Sequence, residues 1–469
     1  MTARYATGFT TQAVELTAVP LDVQGVFPRW LNGTLIRNGP GQFEVGSTPI
    51  RHWFDGLAML HSFHIVDGSV NYSNRFLRTN AYYKDRASGT IHYVGFAQDP
   101  CRALFRKVMS IFFAAEPGNN ALINVARYGD RFVAMTESPL TVTFDPRTLR
   151  TLGVLDYHDN VTAFTATAHP HYDPRRRAGI NLLTNYGQRT AYQIYSITDT
   201  QRRKLGEFVR DDISYIHSFA LTPRYAIVAE FSLRLKSPLA LLASGKPFIQ
   251  NFRYLPHEDA RFTVLDLESG QVVADVRADA FFCFHHVNAY EDADAVVVDV
   301  VAYDDASLID MLYIDHLRRA ADVKLGQLRR YRLPLGGGRA APQPLSDAPL
   351  ELPRINYRFN GQPYRCAYGT ASRPDAPEFM NALVKVDVVS GSCRYWHEDW
   401  LFPGEPVFVA APDAVAEDDG VILTVALDAR TGTSALVVLD AASFTETGRA
   451  VLPQHVPFGF HGHFYGDLT

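Results

Sequence analysis

The chain has 469 residues, of which 47% are apolar and 20% charged, a composition typical of a globular protein that buries a large core. A net charge of −5 and a pI near 6.3 argue against nucleic acid as a general partner. Three features predict a cytoplasmic protein without disulfides or a membrane-spanning helix: four scattered cysteines without a CxxC pair, no signal peptide, and no run of about 18 apolar residues.

Short strand-like runs recur along the chain, with turn signals between them. The runs include 33–37, 131–135, 225–230, 261–266, 295–300 and 420–425, and the turns include 66–68, 127–130, 267–270 and 428–432. Helical periodicity is scarce, and the best candidate for a helix is 308–321. Many strands without alternating helices indicate an all-β sandwich, barrel or propeller, and the length favours a single propeller domain over residues 1–469.

Four histidines lie in similar settings of small, aromatic or β-branched residues, which are typical of buried strand ends. The settings are Thr167-Ala168-His169-Pro170, Tyr215-Ile216-His217-Ser218, Cys283-Phe284-His285-His286 and Gly459-Phe460-His461-Gly462. A buried imidazole is costly unless it is paired, and one shared metal ion would pair all four. Imidazole suits zinc, copper, iron and nickel, so the ligand type alone does not choose the metal. Because the chain has 16 histidines, four unrelated core histidines are the alternative.

Several longer motifs follow one another from about residue 25 onwards. They are Leu31-Asn32-Gly33-Thr34-Leu35-Ile36-Arg37-Asn38-Gly39-Pro40, Trp53-Phe54-Asp55-Gly56, Thr167-Ala168-His169-Pro170-His171, His217-Ser218-Phe219, Phe284-His285-His286-Val287-Asn288-Ala289-Tyr290-Glu291-Asp292 and Phe460-His461-Gly462. With these motifs in this order, the chain resembles the carotenoid cleavage oxygenase family. That family includes carotenoid dioxygenases of plants, bacteria and animals and the animal retinyl-ester isomerase.

The resemblance implies an all-β, seven-bladed propeller with Fe(II) on its axis and a short helical cap over the metal-bearing face. Carried over motif by motif, it implies four iron ligands, His169, His217, His285 and His461, whereas His171, His286 and His463 fall on positions that do not bind the metal. It further implies that three glutamates fix the rings of the ligands, namely Glu137, Glu351 and Glu405. Ile123, fourteen positions before Glu137, matches the family residue that caps one open position on the iron.

The activity implied by the resemblance is cleavage of a conjugated C=C bond of a carotenoid or apocarotenoid by O2, which gives two carbonyl products. No organic cofactor is implied. Retinyl-ester isomerisation and stilbenoid cleavage are alternatives within the family. Thr136 counts against a stilbenoid substrate, because stilbenoid-cleaving members carry a lysine directly before the first glutamate. A metal-free propeller that only binds a carotenoid or a protein is a third alternative.

Two stretches, 101–114 and 233–242, mix large apolar side chains with basic ones, a combination that suits contact with a membrane surface. Among their apolar side chains are Phe112, Phe113, Leu241 and Leu242. A core-packed helix would show the same mixture. Family members take up lipid-dissolved substrates through such a patch, so the resemblance implies peripheral membrane contact, with a lipophilic polyene and O2 as the reacting partners.

Overall fold

The structure is a computed structural model that describes residues 2–92, 95–97, 119–186, 189–235, 246–319 and 323–469. Strands dominate the secondary structure of these residues and pair, nearly all of them antiparallel, into seven successive groups, which we name blades 1 to 7. Neighbouring blades contact each other through their inner strands. This order of sheets is that of a seven-bladed β-propeller, and the predicted all-β fold class is therefore correct.

The first four blades follow the chain in order. Blade 1 contains Val19–Pro20, Gly33–Gln42, Leu57–Val66, Ser69–Phe76 and Gly462–Tyr465; blade 2 contains Asn124–Tyr128, Arg131–Met135, Val142–Phe144 and Thr151–Val154; blade 3 contains Thr165–Ala166, His171–Asp173, Ala178–Asn185, Thr190–Thr198 and Gln201–Arg210; and blade 4 contains Ala220–Leu221, Tyr225–Glu230, Ala260–Asp266, Val272–Ala278 and Gly338–Arg339.

Blades 5 and 6 share one long strand, Gln343–Ile355, whose first part pairs in blade 5 and whose last part pairs in blade 6. Blade 5 adds His286–Asp292, Ala295–Ala302 and Gly326–Pro334; blade 6 adds Cys366–Ala371, Ala382–Asp387 and Cys393–Trp396; and blade 7 contains Asp22–Gly25, Leu401–Pro403, Val407–Ala410, Gly420–Asp428, Thr433–Asp440 and Thr445–Val451. Outside the blades lie the small sheet of Ile213–Ser214, Leu233–Leu235 and Phe252–Tyr254 and the hairpin of Glu44–Val45 and Thr48–Pro49.

The sequence pattern explains which strands are buried. Ala295–Ala302 is a nearly continuous run of valine and alanine, and every residue of it is buried between neighbouring sheets. In Val272–Ala278, by contrast, buried and exposed positions largely alternate, because this strand lies towards the outside of blade 4. The core therefore sits between the blades, and the inner strands surround the axis.

Two long-range strand pairings close the ring. Gly462–Tyr465 pairs with Gly33–Gln42 in blade 1, and Asp22–Gly25 pairs with Thr445–Val451 in blade 7. The two pairings join the first and last blades of the propeller. His461, the last of the four histidines along the chain, directly precedes the closing strand Gly462–Tyr465.

Helices are short in the described residues. They comprise the α-helices Asn80–Ser88, Leu308–Met311 and Ile314–Leu317 and the 3-10 turns Ala6–Phe9, Trp53–Asp55, Ile249–Asn251 and Tyr357–Phe359. The prediction of one helix over 308–321 is wrong in its extent. Tyr313 has extended backbone and forms a β-bridge with His52, which separates the segment into two single-turn helices.

The two stretches predicted to touch a membrane are mostly beyond what the structure describes. Residues 101–114 and 236–242, with Phe112, Phe113, Leu241 and Leu242, lie outside the described residues. Leu233–Leu235 is described and forms a buried strand. In the described part of the chain, no helix has both the length and the apolar character to cross a membrane.

Candidate metal centre

The four predicted histidines sit where inner strands begin. His169 lies just before His171–Asp173 of blade 3, His217 before Ala220–Leu221 of blade 4, His285 before His286–Asp292 of blade 5, and His461 before Gly462–Tyr465 of blade 1. Inner strands of a propeller surround its axis, so side chains at corresponding ends of different blades converge. Residues far apart in sequence thus meet at one point.

The imidazole rings form one compact cluster. Nε2 of His169 lies 3.0 Å from Nε2 of His217, and Nε2 of His285 lies 3.2 Å from Nε2 of His461. Between these two pairs, the ring centroids of His169 and His461 are 4.6 Å apart, and those of His217 and His285 are 5.3 Å apart. The structure therefore brings all four predicted ligands together, with their Nε2 atoms facing inwards.

Each of three histidines also binds one of the predicted glutamates through its outward-facing Nδ1 atom. The Nδ1–oxygen distances are 2.5 Å for His217 and Glu137, 2.6 Å for His285 and Glu351, and 2.7 Å for His461 and Glu405. Among the described residues, no glutamate is hydrogen-bonded to His169. The family resemblance implied three glutamates for four histidines. In the structure, each of these glutamates is hydrogen-bonded to a different histidine ring.

The donor set fits a metal ion. A carboxylate only accepts, so Nδ1 of His217, His285 and His461 carries the proton and Nε2 presents a lone pair. Two lone pairs that face each other at 3.2 Å repel unless a proton or a metal ion lies between them. Burial lowers the pKa of His461 to about 4 and lowers the pKa of His217, which disfavours an extra proton near neutral pH. A metal cation bound at the Nε2 atoms would satisfy these lone pairs without an extra proton.

Glu405 is the most strongly supported of the three carboxylates. Arg354 Nε donates to its Oε1 at 2.7 Å, Arg37 donates to its Oε2 at 2.6 Å, and the backbone N–H of Gly462 donates to Oε2 at 3.0 Å. Burial acts to raise the pKa of Glu405, but Arg354, His461 and Arg37 together hold it well below its usual value. Glu405 is therefore ionised at neutral pH.

The other two glutamates receive neutral donors besides histidine. The Tyr215 hydroxyl donates to Glu137 at 2.5 Å, and the Tyr303 hydroxyl donates to Glu351 at 2.8 Å. Burial acts to raise the pKa of Glu351, but His285, the Leu352 backbone N–H and the Tyr303 hydroxyl together leave that pKa lowered. Glu405 thus receives hydrogen bonds from guanidinium groups, whereas Glu137 and Glu351 receive them from phenol hydroxyls.

Sequence reasoning assigned no role to Arg37, Arg354, Tyr215 or Tyr303. Three of them carried a signal: Arg37 interrupts the buried run of Gly33–Gln42, Tyr215 lies two positions before His217, and Arg354 follows Glu351 by three. A charged residue inside an apolar strand implies a buried partner. Nothing near Tyr303 in the sequence points to the site.

An apolar cavity adjoins the histidine cluster. Its described lining includes Trp53, Phe54, Ile123, Phe284, Leu308, Leu312, Leu352, Phe379, Met380 and Phe460, together with His217, His285 and His461. The one polar atom of the Trp53 side chain, Nε1, donates to the Phe458 carbonyl at 2.8 Å. Leu308 begins the helix Leu308–Met311 and Leu312 directly follows it, so this helix contributes to the lining of the cavity. Such a lining suits a hydrocarbon ligand.

Ile123 lines the same cavity as His217, His285 and His461. Its side chain is buried and lines the cavity, and its carbonyl oxygen accepts the backbone N–H of His461 at 3.2 Å. His171 and His286 bond elsewhere: His171 Nε2 lies 2.9 Å from the Phe219 carbonyl oxygen, and His286 Nδ1 lies 2.8 Å from the Ser218 hydroxyl. The rings of His171 and His286 thus bond to other groups, although each residue lies close in sequence to a predicted ligand.

Comparison with known proteins gives a consistent assignment. A family model described as "Retinal pigment epithelial membrane protein" (RPE65) matches residues 9–466. The carotenoid isomerooxygenase of Galleria mellonella is 34% identical over 95% of this chain and 93% of its own length. The beta,beta-carotene 15,15'-dioxygenase of Mus musculus is 33% identical over 97% of this chain and 90% of its own length.

Solved structures agree with the sequence matches. An ACO/RPE65 chimera superposes with a TM-score of 0.87 at 27% identity, covering 98% of each chain. Cobalt-substituted Synechocystis ACO superposes with a TM-score of 0.88 at 26% identity, again over 98% of each chain. These neighbours confirm the seven-bladed propeller. The match over nearly the whole chain confirms the predicted family, and the chain belongs to the RPE65 and carotenoid cleavage oxygenase family.

Proposed function

We propose that this protein is a non-haem Fe(II) dioxygenase that cleaves a conjugated C=C bond of a carotenoid or apocarotenoid with O2 to give two carbonyl products. The convergence of four histidine Nε2 atoms beside an apolar cavity carries this proposal. The names of its relatives, among them a beta,beta-carotene dioxygenase and a carotenoid isomerooxygenase, support it.

The proposed iron ligands are His169, His217, His285 and His461. Neutral imidazoles bind several first-row metals, but zinc has no redox chemistry. Ferrous iron, when bound, supplies the electrons that activate O2. Oxidative cleavage therefore favours Fe(II) at these four nitrogens.

The protein's own residues orient the metal ligands and the substrate. We assign Glu137, Glu351 and Glu405 to fixing the rings of three histidines, since each accepts the Nδ1 proton and so directs Nε2 towards the centre. Phe54 and Phe284 both lie against His217, with ring centroids at 6.4 and 4.9 Å. Their flat apolar faces suit a planar polyene and keep water from the reacting bond.

The decisive experiment is incubation of the purified, iron-loaded protein with a panel of carotenoids and apocarotenoids under ¹⁸O2. Dioxygenase action yields two aldehyde or ketone products that carry the label. Isomerisation of a retinyl ester without uptake of label would identify the non-oxidative activity instead. A protein that retains no iron after loading, yet binds a carotenoid tightly without turnover, would contradict an enzymatic function.

Ile123 is proposed to cap one open position on the iron. An aliphatic side chain offers no hydrogen bond to a water molecule, so it keeps that position dry. Replacing Ile123 with Ala should admit a second water or small ligand to the iron, change the iron spectrum and slow productive use of O2.

Val125 provides a matched control for Ile123. It is fully buried in the strand Asn124–Tyr128, which begins directly after Ile123. It is not among the described residues that line the cavity. Ile123→Ala should lose about 2–5 kcal/mol of stability and Val125→Ala somewhat less, but only the Ile123 variant should change the spectrum. An unchanged spectrum and rate in Ile123→Ala would place the residue outside the reaction.

Peripheral membrane contact is proposed for 101–114 and 236–242 from their composition and the family resemblance, whereas the buried strand Leu233–Leu235 takes no part in it. Polar replacements of Phe112, Phe113, Leu241 and Leu242 should reduce co-sedimentation with liposomes while bound iron stays constant. If the unaltered protein does not bind liposomes at all, the membrane proposal fails without affecting the metal site.

A further inference from the structure

The three glutamates that bind histidine differ in charge environment, although the sequence gives each of them the same role. Glu405 faces two guanidinium groups, Arg37 at 2.6 Å and Arg354 at 2.7 Å. Its side chain is fully buried, and the side chains of Arg37 and Arg354 are 6% and 18% exposed. One anion is thus matched with two cations in a setting that water screens weakly.

The same two arginines also hold the backbone on both sides of His461. Arg37 donates to the Phe460 carbonyl oxygen at 3.1 Å, and Arg354 donates to the Gly462 carbonyl oxygen. His461 is therefore fixed through its ring, by Glu405, and through the carbonyl groups of the residues on either side of it. Arg37 comes from blade 1 and Arg354 from the long strand shared by blades 5 and 6.

This arrangement has an electronic consequence. A carboxylate that accepts Nδ1–H makes the imidazole a stronger donor at Nε2. Cations beside that carboxylate draw its charge away, which weakens the effect. Around His461, the side chain of Glu405 carries one negative charge, and Arg37 and Arg354 carry two positive charges. In the contacts above, Glu137 and Glu351 are instead bonded to the neutral hydroxyls of Tyr215 and Tyr303, which supply no compensating cation.

We propose that Arg37 and Arg354 are positioning residues that fix His461 and, through their excess positive charge, favour the ferrous over the ferric state of the bound metal. The inference rests on the proposed iron site. Positive charge near a metal stabilises its lower oxidation state, so the pair counteracts the electron donation that three carboxylates direct into the cluster.

Arg354 is the residue to test, because it is the more exposed of the two. We expect Arg354→Gln to shift the midpoint potential of the one-electron Fe(III)/Fe(II) couple to a lower value in a mediated redox titration followed by electron paramagnetic resonance. Arg354→Lys keeps the charge and should leave the potential near that of the unaltered protein.

Arg330→Gln is the matched control. Arg330 binds the fully buried Asp299 through two hydrogen bonds of 2.8 Å, and neither residue contacts the four histidines in the described contacts. This variant also removes a guanidinium from a buried carboxylate, so it reports any general effect of disturbing the propeller. Its potential should not move.

An iron-loaded Arg354→Gln variant with an unshifted potential would overturn the inference, as would an equal shift in Arg354→Lys. If Arg354→Gln does not retain iron, the test rests on Arg354→Lys. Iron retained by Arg354→Lys at an unaltered potential supports a role for the charge, whereas loss of iron from Arg354→Lys refutes that role. Unaltered protein that binds no iron would refute the proposed function instead, before any variant is compared.

Discussion

Replacing His285 with Ala should remove most of the bound iron and, with it, nearly all cleavage activity. The change deletes one of four converging nitrogens and leaves Glu351 buried without the imidazole that donates to it at 2.6 Å. The remaining three histidines offer the metal three nitrogen ligands instead of four. Iron content measured by inductively coupled plasma mass spectrometry, with cleavage assayed on the same sample, checks this expectation.

His286→Ala is the control for that variant. The neighbouring ring is also enclosed by protein, but its Nδ1 bonds the Ser218 hydroxyl at 2.8 Å instead of a glutamate. This variant should keep its iron even if it loses some stability. Full iron occupancy in His285→Ala would contradict the assignment of His285 as an iron ligand.

Replacing Glu351 with Gln should lower iron affinity or activity by about 10–100-fold, the usual effect of losing a partner that orients a metal ligand. The Glu351 carboxylate accepts from His285 Nδ1, the Tyr303 hydroxyl and the Leu352 backbone N–H. An amide supplies one acceptor oxygen and a donor group that opposes one of these donors. Competition for iron with a calibrated chelator measures the loss.

Glu230→Gln separates an effect on the metal from an effect on the fold. Glu230 is also fully buried, but it binds Arg210 at 3.1 Å and the Thr263 hydroxyl at 2.6 Å. Breaking this ion pair should cost about 3–5 kcal/mol of stability while iron affinity is retained. Equal loss of iron in both variants would mean that Glu351 acts only through stability.

The strands were largely predictable from local sequence, because hydrophobic runs between turn signals form strands in almost any all-β setting. The run 131–135 is the strand Arg131–Met135, and 225–230 is the strand Tyr225–Glu230. The break in 308–321 was not predictable, since it depends on the bridge between Tyr313 and His52, far away in sequence. Long-range pairing overrode local periodicity there.

The candidate site was predictable only in part. Local settings singled out His169, His217, His285 and His461, but they left the metal open and allowed four unrelated core histidines. The resemblance to a family supplied iron and the glutamates. The geometry then showed which glutamate meets which histidine, because these contacts join different blades.

The support of Glu405 by Arg37 and Arg354 could not be predicted, because it joins blade 1, the strand shared by blades 5 and 6, and the turn of blade 7 between Leu401–Pro403 and Val407–Ala410. No local pattern reports which of several charged residues will share a buried partner. The asymmetry among three similar glutamates became visible only in three dimensions.

The pairing of Gly462–Tyr465 with Gly33–Gln42 has a consequence for assembly. His461 reaches the other histidines only when these two distant segments have met, and contacts between such distant segments form slowly during folding. A ligand that binds only the native state stabilises it by mass action, so iron should strengthen the seam between the first and last blades. Metal occupancy then becomes a measure of how completely the propeller has closed.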